Sequence, residues 1–345
     1  VSGLPQAQNL DGDYLLPGLV ELHTDNLEKY MSPRPGVDWP SASAVLTHDA
    51  QIASAGITTV FDALAIGDVN PRGKRMQQLP AMLEAIASAA AAGHMRADHR
   101  LHLRCEVCHP ETLAVFRDLV EHPLVQLVSV MDHAPGQRQF AKEDKYREYY
   151  MGKYHLSEAE MNAFIVEQVD NSRQYSDRQR RSIVADCQAR GISVASHDDA
   201  TLAHVQESAS FGMSIAEFPT TLEAAKASHE LGLKVLMGAP NIVRGGSHSG
   251  NIAAAELARH GVLDILSSDY YPSSLLQAAL LLAGQDNGYD LPRAIATVSR
   301  VPAQAAGLHD RGEIRVGLRA DLVQAQVHAG QAVIQQVWRQ AKRVF

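Results

Sequence analysis

Eight short apolar segments recur along the chain, most of them followed by a stretch of helical character. This alternation restricts the fold more than any other feature. The segments are YLLPGLVELH (14–23), ITTVFDAL (57–64), RLHLRCEV (100–107), VQLVSVMDH (125–133), ISVASHDD (192–199), MSIAEFP (213–219), LKVLMGAP (233–240) and LDILSSDY (263–270). Many are continuous apolar runs, as strands covered on both faces of a parallel sheet require. Helical segments such as MQQLPAMLEAIASAAAAG and TLEAAKASHELG lie between them. Gly56, Gly191, Gly212, Gly232 and Gly261 stand just before five of the strands, where a left-handed residue ends a helix and hands the chain on. Eight such units predict a (β/α)8 barrel. A doubly wound open sheet is the alternative, but that fold usually opens on a Gly-rich turn, and the first strand here ends in ELHTD.

After residue 310 the pattern changes to short strands with turns at Gly317 and Gly330. The expected organisation is a remnant of an N-terminal β appendage (1–16), a metal-dependent barrel (17–310) and the C-terminal part of the appendage (311–345), forming a small β-sandwich near the chain termini. Sixteen residues are too few to complete such a unit, so a strand-rich N-terminal part is expected to be missing from the chain. The least regular stretch, 136–180, reads as a long excursion after the fourth barrel strand, helical in part from Ser157. Excursions at that barrel face often carry substrate-binding groups.

The chain of 345 residues is 46% hydrophobic, enough for one large domain with an appendage. No apolar run reaches membrane-spanning length. A net charge of −8 argues against a general nucleic-acid binder, though not against a small anionic substrate met by a local basic cluster. Cys105, Cys108 and Cys187 are too few for a disulfide framework, so a reducing cytoplasm is expected. The composition leaves a homo-oligomer open.

The strand ends carry the chemistry. In a strand, residues i and i+2 share a face, so His23 and Asp25 both face the barrel mouth and pair well as ligands of a divalent metal. Taken alone, H-x-D also suits a capped strand end with a solvated carboxylate. The other strand ends are alike: Glu106, Asp132–His133, His197–Asp198–Asp199, Glu217 and Asp269. A barrel brings all of them to one rim. Clustered buried carboxylates need a cation, which one or two metal ions would supply; ion pairs with nearby Arg and Lys are the plainer explanation. Mixed His and carboxylate donors suit Zn, Mn or Fe.

The segment NIVRGGSHSG (241–250) follows the seventh strand and is expected to open a helix. Small residues there let backbone N–H groups approach phosphate oxygens, and a helix N-terminus favours anions. Arg244, Gly245, Gly246, Ser247 and His248 are the candidate substrate contacts, with Arg138 of PGQR as a second anion candidate. The C-x-x-C-H of residues 105–109 formally matches haem attachment, but it lies in a strand with a carboxylate inside it. Gly67 to Arg75 has one spacer too many for a phosphate-binding loop and lacks its Ser or Thr.

PGLVELHTD, GITTVFDAL, the fifth-strand His, the eighth-strand Asp and the terminal G-x-I-x-x-G-x-x-A-D-L-V resemble the amidohydrolase superfamily over nearly the whole chain. ELHTDNLEKY, MSPRPGVDWP, MDHAPGQRQF and GAPNIVRGGSHSGN resemble its phosphonate-utilisation branch, which serves the carbon–phosphorus lyase pathway. The resemblance implies hydrolysis of α-D-ribose 1-methylphosphonate 5-triphosphate to the 5-phosphate and pyrophosphate. The superfamily's first-strand H-x-H is here His23-Thr24-Asp25, and its fifth-strand His and eighth-strand Asp fall on His197 and Asp269. Its sixth-strand His and carbamylated fourth-strand Lys are absent; Glu217 and Asp132–His133 stand there. On this reading Glu106 bridges two metals, His133 and Glu217 are neighbouring ligands, and Asp269 takes the proton of the attacking water. The rival readings are a C–N hydrolase of a cyclic amide and a barrel that has lost catalysis. A neutral amide would not need the Arg-Gly-Gly-Ser-His-Ser loop, and His23, His197 and Asp269 all persist.

Overall fold

The computed structural model describes residues 7–68, 73, 75–138, 143–154, 156–247, 250–284 and 287–345. Its centre is an eight-stranded parallel sheet in sequential order. The strands are β2 (Leu19–Thr24), β3 (Ile57–Ile66), β4 (Asp98–Glu106), β5 (Val125–Met131), β6 (Ser193–His197), β7 (Ile215–Glu217), β8 (Lys234–Gly238) and β9 (Ile265–Ser267). A parallel bridge between Thr24 and Asp269 brings the last strand back to the first. Val20, Leu22, Phe61, Leu127, Ala195, Ile215, Leu236 and Ile265 form one buried cluster drawn from seven strands, the filled interior of a barrel. Leu101, Leu103 and Cys105 of β4 pack instead with Ile86, Phe116 and Ile183 of the surrounding helices. This is the expected period of two: the even-numbered residues of β4 face inward. All five Gly residues before the strands have positive φ. Gly191 (φ 66°), for example, caps the helix Asp177–Arg190. No described helix is long and apolar enough to cross a membrane.

The first apolar segment is two strands rather than one. Tyr14–Pro17 (β1) pairs antiparallel with β10 (Leu322–His328), which pairs with β11 (Gln331–Arg339), which in turn pairs with β12 (Lys342–Arg343). The appendage is thus a four-stranded sheet built from both ends of the chain. Gly18 separates β1 from β2, and its N–H donates to Asp321 O at 2.7 Å. A Cβ at this position would overlap the Thr58 side chain and crowd the Asp321 Cβ, so only glycine lets the two sheets part here.

The excursion after β5 carries helices Glu143–Tyr154 and Glu158–Asn171, and the second runs through a π turn, Ser172–Ser176, into Asp177–Arg190. Ser157 starts the second helix with a capping box closed by Glu160. Tyr146, Tyr150, Leu156, Met161 and Phe164 give the excursion its own small core.

Beside β3 and β4 lies a buried ionic chain. Asp62 is bonded to His48 Nε2 and His99 Nδ1, both at 2.7 Å, and His99 Nε2 lies 3.2 Å from Asp49. Burial works against a charged His99, but Asp62 and then Asp49 outweigh it and hold its pKa up to about 9. A pKa raised above the ordinary value of 6.5 adds stability that is fully present below that pH and is lost as pH rises through about 9. Urea unfolding is expected to show roughly 3 kcal/mol less stability at pH 10 than at pH 6 from this group. The His99→Gln variant should lose that dependence. Equal stability of the native protein at both pH values would show that His99 is neutral in the fold.

Candidate metal-binding active site

The C-terminal ends of the barrel strands surround a cavity of about 300 Å³. Its wall includes His23, Asp25, Glu106, His133, His197 and Asp269, so six of the seven residues expected as metal ligands converge on one space. The local backbone explains how. At the end of β2 the register shifts between Glu21 and Thr24, and the buried Glu21 carboxylate accepts the backbone N–H groups of His23 and Ser268. Burial, the dominant influence, pushes the Glu21 pKa up to about 7. Thr24 turns away from the cavity, and its hydroxyl donates to Asp269 O at 2.5 Å.

Three residues near the strand ends hold left-handed backbones without being glycine: Asp198 (φ 56°), Phe218 (φ 52°) and Asp269 (φ 54°). All three line the cavity. Such conformations are uncommon outside glycine, and they persist where the surroundings over-determine them. Asp198 shows the consequence. Strand alternation would turn it away from the face of His197, but the left-handed turn brings its Oδ2 to 3.5 Å from His197 Nε2 and 3.4 Å from His133 Nε2. His133, His197 and Asp198 place donor atoms within 4.8 Å of one another. The sequence places Asp198 at the rim in S-H-D-D, but strand alternation gives it no place among the ligands.

Glu217 behaves differently from the expected ligands. It is fully buried beneath the cavity and absent from its wall. One carboxylate oxygen meets His23 Nδ1 and the other His197 Nδ1, both at 3.1 Å. The two rings lie nearly parallel, 5.9 Å apart, with the Nδ1 of each engaged from below. Burial opposes the charge on Glu217, but His23, together with the hydrogen bonds from His197 and His23, holds its pKa well below the usual carboxylate range. His102 sits under His23, bonded to Leu22 O and Ser129 Oγ at 2.9 Å each. Burial drives its pKa down to about 3, so it is a neutral spacer.

Glu106 accepts from His133 Nδ1 at 2.5 Å, and its other oxygen accepts the His133 backbone N–H at 2.9 Å and the Cys108 thiol at 3.3 Å. Asp132 turns outward to Ser172 Oγ at 3.0 Å. Burial and the nearby Asp25 raise the pKa of Asp269, while His23 opposes them. Several carboxylates and three imidazoles crowded about one cavity are the donor set of a hard or borderline divalent cation, and they fit one.

The substrate candidates divide. Arg244, Gly246 and Ser247 line the cavity, while Gly245 is the left-handed cap (φ 83°) of the helix Ala239–Arg244 and does not. His248 lies outside the described residues. The Gly-rich segment leaves the C-terminal end of that helix and leads into the next one, Ala254–Arg259. Arg138 is not on the wall either. Its guanidinium is buried and committed to Asp199 and to Glu207. Burial and neighbouring Arg180 lower its pKa to about 10. The P-G-Q-R motif therefore marks an ion pair bracing the excursion and not an anion site. Tyr149 and Tyr150 from the excursion complete the cavity, together with Arg104 on β4.

A family model described as "Amidohydrolase family" matches residues 44–327. The α-D-ribose 1-methylphosphonate 5-triphosphate diphosphatase of Escherichia coli (strain K12) is 57% identical over 345 residues, covering 100% of this chain and 91% of that one. Among solved structures, 5-methylcytosine deaminase from Klebsiella pneumoniae liganded with 5-fluorocytosine superposes with a TM-score of 0.59 at 15% identity, covering 99% of this chain and 90% of that one. N-acetylglucosamine-6-phosphate deacetylase from Thermotoga maritima gives a TM-score of 0.58 at 14% identity, covering 97% and 89%. The two structures are alike in fold alone. With a family match across most of its length and a majority-identical relative across all of it, the chain belongs to the amidohydrolase family.

Proposed function

We propose that the chain hydrolyses α-D-ribose 1-methylphosphonate 5-triphosphate to the 5-phosphate and pyrophosphate. The observation that carries this reading is one cavity lined both by metal-type donors and by Arg244, Gly246 and Ser247. The 57% identical relative of that name supports the substrate. His23, Asp25, Glu106, His133, His197, Asp198 and Asp269 would hold one or two ions of Zn, Mn or Fe. A bound divalent ion would supply Lewis-acid activation of water and of phosphoryl oxygens. Asp269 accepts the proton of the attacking water, and Arg244 balances charge gathering on the departing pyrophosphate. Glu217 orients His23 and His197 from below. We also read residues 17–310 as the catalytic unit and 1–16 with 311–345 as its appendage. The three buried free cysteines accord with a reducing cytoplasm.

Phosphorus NMR of the metal-loaded protein with this triphosphate in ¹⁸O-labelled water tests the reading. The expected products are pyrophosphate and a ribosyl 5-phosphate that carries the label, as attack at the α-phosphorus requires. Release of orthophosphate would move the attack to the γ-phosphorus. No turnover here, with turnover of a cyclic amide, would replace this reading by C–N hydrolysis.

A further inference from the structure

Arg104 lines the cavity, and the reading above leaves it without a task. It lies on β4 two residues before Glu106, on the inward face and one step deeper in the barrel. Among the described residues its guanidinium has no hydrogen-bond acceptor and no carboxylate at ion-pair distance, and its Nε is buried. The carboxylates near it either have partners of their own or, like Asp25 and Asp269 on the same cavity wall, lie beyond ion-pair distance of it among the described residues. Glu28 holds Arg75 at 2.9 Å, Glu106 holds His133, Asp198 faces His133 and His197, and Glu217 holds His23 and His197. A partly buried guanidinium with its donors unmade is costly, so a fold that keeps one in a cavity has an acceptor for it that comes from outside.

The position narrows what that acceptor is. In the order β2 to β9, β4 is third and β8 seventh, half the barrel apart. Arg244 ends the helix that follows β8, so the two arginines enter the cavity from opposite walls. The metal-type donors of β2, β5, β6 and β9 come from the strands between these walls, and Glu106 stands on β4 itself, two residues after Arg104. A substrate with one anionic end would use one of these cations. One that carries anions at both ends, with the bond to be broken between them, would use both.

We propose that Arg104 is a specificity-determining residue that binds the methylphosphonate at C1 of the sugar, while Arg244 faces the departing pyrophosphate. This rests on the diphosphatase reading. The guanidinium fork matches two oxygens of a tetrahedral phosphonate, and a lysine at the same place would match them less well.

The test compares metal-loaded wild type, Arg104→Met, Arg104→Lys and Arg244→Ala on two substrates. One is the ribosyl 1-methylphosphonate 5-triphosphate; the other is ribose 5-triphosphate, which lacks the phosphonate. Arg104→Met should lower kcat/KM on the first by about ten- to hundredfold, mainly through KM, and change it little on the second. Preference for the phosphonate substrate then collapses, and Arg104→Lys recovers part of it. Arg244→Ala should lower both substrates alike. Metal content and Tm should match wild type in both Arg104 variants. Equal losses on the two substrates in Arg104→Met would overturn the proposal, since Arg104 would then serve the triphosphate. Loss of metal would also overturn it, since the guanidinium would then be balancing the donor cluster. If wild type turns over neither substrate, the diphosphatase reading itself fails. Calorimetry with methylphosphonate then decides on Arg104: binding lost in Arg104→Met supports an anion site, and unchanged binding removes it.

Discussion

Asp269→Asn is expected to lower kcat by about 10²–10⁴-fold while the fold and most of the bound metal remain. The backbone at this position does not depend on the carboxylate. Asp269 N–H donates to His23 O at 3.1 Å, and its carbonyl accepts from Thr24 at 2.5 Å. These bonds close the barrel between β9 and β2, and Asn can make both. Asn also tolerates the left-handed φ of 54° as well as Asp does. Its amide oxygen can still face a cation, but it cannot take a proton from water at neutral pH. Circular dichroism, metal content and rate of pyrophosphate release should be measured on one preparation. Near-normal turnover would remove Asp269 from the proton-accepting role. Loss of metal in step with loss of rate would make it a ligand only.

Glu217→Gln should act at the opposite point, weakening metal binding by about 10–100-fold with a kcat that recovers at high metal concentration. One carboxylate serves two imidazoles, so both ring Nδ1 atoms can be donors, which leaves each Nε2 its lone pair for a cation. A glutamine has one oxygen and one NH₂ group. It can serve His23 or His197 but sets a donor against a donor at the other. That ring must turn or change tautomer, and its lone pair leaves the cavity. The change also leaves a buried bond unmade, so some loss of Tm is expected. Titration against a competing chelator reads the affinity, and imidazole ¹⁵N shifts read the tautomers. Unaltered affinity would show that Glu217 does not govern ring orientation. A kcat that stays low at saturating metal would place Glu217 among the groups that touch the reacting atoms.

Legibility differed from one residue to another for physical reasons. The eight strands could be read because strands covered on both faces are continuous apolar runs, and the glycines before five of them mark helix ends. Ser157 could be read because capping is local: the side chain that starts the helix and its Glu160 partner are three residues apart. The first segment was harder. YLLPGLVELH is apolar throughout and reads as one strand, and only packing against Thr58 and Asp321, far away in the chain, shows why Gly18 divides it.

The site divides along the same line. His23, Asp25, Glu106, His133, His197 and Asp269 stand at the ends of apolar runs, and a barrel gathers strand ends on one rim whatever the side chains are. Their convergence was therefore contained in the sequence, and so was the family, since its motifs are contiguous. What each group does with its neighbours was not. Glu217 stands at a strand end like the others, yet 194 residues separate it from the His23 it supports. Arg138 looks like an anion site until Asp199 and Glu207 fold against it. Asp198 reaches the cavity through a single left-handed φ that breaks the alternation a sequence pattern relies on. Arg104 stands out for the partners it lacks, and a missing partner is visible only once every other side chain has its place. Periodicity and capping act over a few residues, so the chain's order of residues settles them. Hydrogen bonds, ion pairs and their absence are settled by distances between segments far apart in sequence, which exist only in the folded molecule.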